Sequence, residues 1–535
     1  MAKVVLITPT PPDITAFGIR SLSSFLRSKG HQTKLVFLPG SIGLLQVDGA
    51  FSYSYSDAVQ NDLLKLVHGA DLVGFSFFTS YVTRAMQLSK LIRSHTGIPV
   101  IWGGIHASSM PEEGLQYADL VCVGEGEMTL LEVMDRLDRR QSLSGIFGIY
   151  TLRADGSMEC NPLRPLISDI SALPFYDYSN DDHFILNRVS GRIEPLNTSL
   201  LEEAMPFMPR QNGGMTKAYR TITDRGCPHR CSYCNVPFLK NLYANDATPF
   251  LRARSPQRVI AEFKEMRDRF PFIKAIHIID DTFFSRSRSY LEEFAALYKN
   301  TIALPLYAQA SPSTLTETKL QLLLDAGLVY VEMGLQTGST PIRNMYHRPE
   351  SNETMIEAGT LLHRYRKRLI PPDYHVILDN PWETPHDTLE TARLLARLPR
   401  PFGLAMSSLL FFPGTELFHR ASREGLIKDL TKDVYLKPFY IPPKRNYANF
   451  MVYLNTFNAM PRSVLRILLK PGRAEQLAEK QYPYLLPLAY AVAETLRFMA
   501  KAFSAVVRGD ADRIKLFIKR LFIKDYMMVA GRKGK

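Results

Sequence analysis

Arg225-Gly226-Cys227-Pro228-His229-Arg230-Cys231-Ser232-Tyr233-Cys234-Asn235 carries three cysteines within eight residues, from a chain that has only five in 535. Three thiolates on one tight loop can hold three irons of a 4Fe–4S cluster and leave the fourth iron open to a substrate or cofactor. The alternative is a structural zinc site with His229 as fourth ligand. Such sites usually draw their ligands in two pairs from two segments, whereas Cys122 and Cys160 stand far upstream and singly. A disulfide role is the weakest reading, because an odd cluster of close thiols suits a reducing compartment.

The flanking sequence places this loop on a βα scaffold. Arg220 to Thr223 reads as a strand running into it. Ser255 and Pro256 supply an N-cap and a first-turn proline for a helix to Phe270. Strands are then predicted at Ala275–Ile279, Leu306–Gln309, Tyr330–Leu335, Tyr374–Leu378 and Ala405–Phe412, with helical stretches between. Six such units predict a partial (β/α)6 TIM-like barrel, whose chemistry belongs at the carboxyl ends of its strands. The cysteine loop follows the first strand.

At this point the run resembles the radical S-adenosylmethionine (SAM) superfamily, with Cys227, Cys231 and Cys234 spaced C-x3-C-x2-C and Tyr233 before the last cysteine. The resemblance implies that the three cysteines ligate a 4Fe–4S cluster whose open iron binds SAM. It further implies reductive cleavage of SAM to a 5′-deoxyadenosyl radical. Later strand ends resemble the family's landmarks in order: Asp280-Asp281-Thr282-Phe283, Gly334 to Ser339, Asp379-Asn380-Pro381-Trp382-Glu383-Thr384 and Pro413-Gly414-Thr415-Glu416. They imply SAM contacts at Tyr233, Asp280, Asp281, Gln336 and Glu383. Asp379-Asn380 departs from the Gly-x usual there, which bears on the SAM contact or the cavity beside it. Read without the resemblance, these residues are turns and helix caps.

The first 140 residues alternate strands and helices. Val4–Ile7, Lys34–Leu38, Leu72–Phe77, Val100–Trp102 and Leu120–Val123 predict a doubly wound parallel sheet. Ligands of such sheets bind beyond the strands' carboxyl ends, where glycine lets them approach the backbone. Ser76, Gly103-Gly104 and Gly124-Glu125-Gly126-Glu127 lie there, with a helix starting near Gly18. Together they resemble the cobalamin-binding domain found ahead of many radical SAM domains, which implies cobalamin contacts at Ser76, Gly103, Gly104, Gly124, Glu125 and Gly126. The loop Thr8 to Gly18 contains no histidine where the best-known cobalamin domains carry a cobalt ligand. His31 reads as a polar turn residue.

Four segments result: 1–140 cobalamin-binding, 141–215 connector with a hairpin at Asp155-Gly156, 216–430 radical SAM barrel, and 431–535 helical and basic. From Lys501 onward there are ten basic and three acidic residues, and Asp512 to Val529 reads as a basic amphipathic helix. Leu485 to Val507 is strongly apolar, interrupted by Pro487, Glu494, Arg497 and Lys501. A helical cap with a solvated basic face is one reading; peripheral membrane contact, with a lipid-like substrate, is the other. No nucleic-acid partner is expected, since the basic residues form no recognisable binding module. The N-terminus lacks a signal peptide's apolar region and cleavage site, and no window offers 18 uninterrupted apolar residues. The cytoplasm, or the inner membrane face, is the expected location.

The expected activity is therefore that of a cobalamin-dependent radical SAM enzyme, a C-methyltransferase acting on a small or lipid-like substrate. Flavodoxin or ferredoxin is the expected electron donor. Ring formation or rearrangement uses the same parts. A methylthiotransferase would need three further cysteines in the N-terminal domain, where only Cys122 occurs. A cofactor-binding sensor without turnover is the reading outside enzymes.

Overall fold

In a computed structural model, all residues are described except 11–13, 40–53, 188, 438–440, 481, 508–513 and 515–535. Among the described residues, nine strands form the first sheet. They are β1 (Lys3–Thr10), β2 (Gln32–Pro39), β3 (Leu72–Ser76), β4 (Val100–Gly103), β5 (Leu120–Cys122), β6 (Ile149–Leu152), β7 (Met158–Cys160), β8 (Phe184–Asn187) and β9 (Arg192–Pro195). Their order is β7-β6-β5-β4-β3-β1-β2-β8-β9. The inner five strands are parallel. The order reverses between β1 and β3, the switch point at which doubly wound sheets bind ligands. β1 shows why these strands are apolar throughout: Val4 and Leu6 enter the core on one face, Val5 and Ile7 the core on the other. The predicted connector adds hairpins to both edges, β6–β7 turning at Asp155-Gly156 and β8–β9 beside β2.

The second sheet is a curled half-barrel. It contains β10 (Phe207–Pro209), β11 (Met215–Thr221), β14 (Ala275–Ile278), β15 (Leu306–Ala310), β16 (Leu328–Gln336), β17 (Asp373–Leu378) and β18 (Gly403–Ser408) in that order. β11 to β18 are parallel and β10 is an antiparallel edge strand. A short ribbon, β12 (Asp224–Arg225) with β13 (Arg252–Ala253), brackets the cysteine loop. Ser255 caps the helix Pro256–Arg269 as its sequence predicts. One continuous apolar core runs from Leu6 and Leu35 through Tyr176, Tyr178 and Tyr219 to Leu378 and Leu404, and so joins the two sheets.

Beyond residue 430 the described chain is helical. Leu485–Val507 runs unbroken, because Pro487 sits in the first turn where its missing N–H costs nothing. No described helix is long and apolar enough to cross a membrane. The predicted helix Asp512–Val529 lies, apart from Ile514, outside the described residues.

Candidate active site

β11 ends at Thr221, and the chain turns through β12 into the cysteine loop. Gly226 makes that turn: its φ is +97°, and a Cβ there would lie 2.8 Å from the Phe250 carbonyl. Cys227, Cys231 and Cys234 line a cavity of about 190 Å³ at the mouth of the half-barrel, with Tyr233, Asp281, Gln336 and Arg348. The loop is held by Cys234 N–H donating to Cys231 O at 3.0 Å and Ser232 Oγ donating to Met345 O at 2.6 Å.

The donor set suits a multi-iron group. Val236 N–H approaches Cys234 Sγ at 3.5 Å, and Arg348 Nη1 approaches Cys231 Sγ at 3.8 Å. The Val236 N–H favours the Cys234 thiolate that a cluster needs, and Arg348 sets a cation beside Cys231. Burial, followed by the charge of Asp281, pushes the Cys227 thiol up to about 12; burial does the same to Cys234. Only a strong positive centre between them would keep these sulfurs ionised. Among the described residues no three His, Cys, Asp or Glu side chains converge on a single-ion position. His229, the fourth ligand of the zinc alternative, is bonded to Ser311 Oγ at 2.9 Å.

The SAM candidates fall in different places. Gln336 lines the cysteine cavity because β16 shifts register between Gly334 and Gln336 and Gln336 adopts φ +66°. A bulge of this kind re-aims a side chain. At Gly334 a Cβ would lie 2.4 Å from the Gln336 amide nitrogen, so a side chain there would push the Gln336 amide out of its present position. Tyr233 stacks edge-on against Tyr346 at 5.0 Å. Asp280 is buried: it accepts from Thr223 N–H and Oγ and pairs with Arg286 at 3.0 Å, bracing β12 against β14. Asp281 faces the cysteine cavity, and burial, then Asp280, pushes its carboxyl up to about 6. Glu383 lines neither of the two cavities described here. It is half-buried, with its carboxylate oxygens covered, ahead of the helix Pro385–Arg397, whose capping box belongs to Thr384 and Asp387.

Asp379 accounts for the departure from Gly-x. Its φ is +57°, so the position keeps the left-handed backbone for which glycine is usual. Its carboxylate accepts from Ser408 Oγ at 2.6 Å, Lys444 N–H at 2.7 Å and Asn449 Nδ2 at 2.8 Å. The side chain thus ties the barrel to the C-terminal helices and turns away from the cysteine loop.

A second, more apolar cavity of about 400 Å³ lies between the two sheets. Its N-terminal wall contains Gly18, Ser76, Gly103, Gly104, Gly124, Glu125 and Gly126; its other wall contains Arg225, Tyr243, Asp280 and Asp281. Gly104 has φ +88° and its Cβ would lie 2.9 Å from Ser76 Oγ. Backbone laid bare by glycine on one face, beside the apolar Leu6, Phe17, Leu22 and Ile101, suits a large flat ligand such as a corrin. No histidine lines this cavity; His31 is buried elsewhere against Asp135.

Asp281 belongs to the walls of both cavities. The Gly-Glu-Gly-Glu turn of the first sheet is also clamped to the cysteine strand. Arg225 pairs with Glu125 at 3.0 Å and Glu127 at 2.5 Å, Arg252 pairs with Glu125 at 2.7 Å, and Ser21 Oγ donates to Glu127 at 2.6 Å. Glu125 also accepts from Ile167 N–H. The short helix Val236–Leu242 begins two residues after Cys234 and ends at Tyr243, whose hydroxyl accepts from Glu125 N–H at 2.8 Å.

The radical SAM superfamily matches residues 221–395, and the B12 binding domain matches residues 3–134. The chain belongs to the cobalamin-binding radical SAM enzymes. It is 23% identical over 433 residues to an uncharacterized methyltransferase of Pyrococcus horikoshii, spanning 79% of this chain and 81% of that one. It is 21% identical to the hopanoid C-3 methylase of Methylococcus capsulatus, over 80% and 74% of the two chains. The radical SAM methyltransferase TsrM of Kitasatospora setae, solved with cobalamin and a [4Fe-4S] cluster, has the same fold: TM-score 0.59, 18% identity, covering 79% of this chain and 78% of that one. As a cobalamin-binding radical SAM enzyme the chain uses a 4Fe–4S cluster, SAM and cobalamin.

Sequence reading passed over Arg225, Arg252, Arg348 and Tyr243. An arginine one turn from a cysteine loop carries no signal of its own. These residues acquire meaning only from partners about a hundred residues away.

Proposed function

We propose that this enzyme methylates an unactivated carbon of a small or lipid-like substrate. The adjacency of the two cavities, meeting at Asp281, is the observation that carries the reading. When bound, the cofactors supply reductive cleavage of SAM to a 5′-deoxyadenosyl radical and a methyl group from methylcobalamin. The chain's own residues do the rest. Cys227, Cys231 and Cys234 hold the cluster, and Arg348 donates toward Cys231 Sγ. Tyr233, Asp281 and Gln336 border the place SAM would occupy. Ser76, Gly103, Gly104, Gly124 and Gly126 cradle the corrin. Glu125 acts through Arg225 and Arg252, holding the corrin turn against the cysteine strand. Asp280 braces the same strand.

The segments 1–140, 141–215, 216–430 and 431–535 serve as cobalamin domain, connector, barrel and helical region. A flavodoxin or ferredoxin supplies electrons. The methyltransferase relatives support methyl transfer, and the hopanoid enzyme among them supports a lipid-like substrate. A cytoplasmic location, peripheral at the inner membrane face, would give the enzyme access to such a substrate.

The test uses anaerobically reconstituted, dithionite-reduced protein given methyl-deuterated SAM and candidate lipid and small-molecule extracts. A methyltransferase forms 5′-deoxyadenosine and S-adenosylhomocysteine together with a deuterium-labelled product. 5′-Deoxyadenosine with an unlabelled, rearranged product would overturn methyl transfer. No 5′-deoxyadenosine under any condition would overturn the radical reading.

A further inference from the structure

The helix Leu485–Val507 is amphipathic in an inverted sense. Its charged residues Glu494 and Arg497 face the protein, where Arg445 pairs with Glu494 at 3.0 Å and Arg497 lies over the Tyr453 ring at 5.6 Å. Leu486, Tyr490 and Ala493 are buried against Tyr453, Phe450 and Phe457. Its solvent side is apolar. Leu485, Leu488, Val492, Leu496, Met499 and Phe503 are each at least 51% exposed and recur at spacings of three and four. That spacing puts them on one stripe. At 1.5 Å per residue, 23 residues give a ridge about 35 Å long. Thr495 and Lys501 are the only polar side chains classed as exposed along the helix, and the Thr495 hydroxyl turns back to Ala491 O at 2.8 Å.

We infer that this ridge docks on an anionic lipid surface. A stable protein interface of this size would carry about one hydrogen bond per 100–200 Å², and the ridge offers almost no side chain to make one. Lipid acyl chains need none. The sequence that follows directly, residues 508–535, contains nine basic and three acidic residues, a balance that matches anionic headgroups. The helix is not apolar enough to span a bilayer, so it lies in the interfacial plane. The surface is independent of the reaction catalysed, and its failure would leave the catalytic reading untouched.

The experiment is flotation of the full-length protein with phosphatidylglycerol-containing vesicles, with pure phosphatidylcholine vesicles as control. The wild-type chain should float with the anionic vesicles and less so as salt is raised. The triple substitution Leu488→Glu, Leu496→Glu, Phe503→Glu should lower partitioning by about tenfold or more and leave the lipid-free melting temperature unchanged. Wild-type protein that stays at the bottom, or a triple variant that floats equally well, would overturn the inference. So would a lowered lipid-free melting temperature of the variant, since the ridge would then be packed against protein. A wild-type dimer that the variant converts to monomer would assign the ridge to a second copy instead.

Discussion

Replacing Arg225 by methionine removes the central cation of the clamp between the two sheets. Glu127 is 4% exposed; burial pushes its carboxyl up, and Arg225, with help from Ser21, more than reverses this and brings it from 4.5 to about 2. A drop of that size corresponds to about 3 kcal/mol. Stripping one partner from a buried pair costs about 3–5 kcal/mol. The lower end is expected here, because Arg252 still holds Glu125. The chain has two tryptophans, and Trp102 is fully buried in β4 of the first sheet. In a Trp382→Phe background, fluorescence during urea unfolding therefore reports the cobalamin domain alone. Arg225→Met should lower its stability by about 3 kcal/mol at pH 7. The pH dependence has a definite sign. Glu127 has a depressed folded pKa, so its contribution is complete above 4.5 and is lost as pH falls toward 2. The difference between the two proteins should shrink over that window. A difference below about 1 kcal/mol, or one independent of pH, would refute the clamp.

Arg348 lies 3.8 Å from Cys231 Sγ, where a unit charge is worth about 4 kcal/mol at an effective dielectric of ~20. Spread over a cluster, this predicts that Arg348→Met lowers the one-electron midpoint potential by about 100 mV; an EPR-monitored titration showing no shift would remove Arg348 from the electrostatics of the site. Gly104→Val should weaken cobalamin retention by about tenfold or more, through strain at φ +88° and the contact with Ser76, while iron content stays constant; loss of both together would mean general misfolding. Asp379→Ala should lower stability by about 2–3 kcal/mol through its three lost hydrogen bonds. Asp379→Gly should cost less, since glycine relieves the left-handed backbone, and a glycine variant equal to wild type would dismiss the tether.

What could be read in the sequence was what local periodicity and spacing encode. Val4–Ile7 and Leu72–Phe77 are apolar on both faces because parallel strands are buried on both faces, and the structure builds β1 and β3 from them. Ser255-Pro256 announced a helix start, and the structure has one there. The cysteine spacing pointed to one cavity wall, and the three cysteines share one. Less legible were features made by the meeting of distant segments. Nothing around Tyr243 foretells that its hydroxyl meets the Glu125 amide, 118 residues earlier. Asp379 was visible as a missing glycine, but its three partners lie in β18, a later loop and the helix after it. Glu383 fits the Pro-x-Glu-Thr pattern, yet that pattern fixes a turn and does not say which way the carboxylate points.

The helix Val236–Leu242 sets a length standard for the enzyme. Its seven residues, about 10 Å of helix, link Cys234 to Tyr243, whose ring presses on Gly124. One residue added or removed would turn Tyr243 by about 100° and slide it by about 1.5 Å. The hydroxyl would then miss the Glu125 amide altogether. The segment is constrained in number as well as in kind, since Leu239 lines the inter-sheet cavity and Leu242 packs on the core. Insertions that elsewhere would be absorbed by a surface loop would here separate the two cofactor seats from one another.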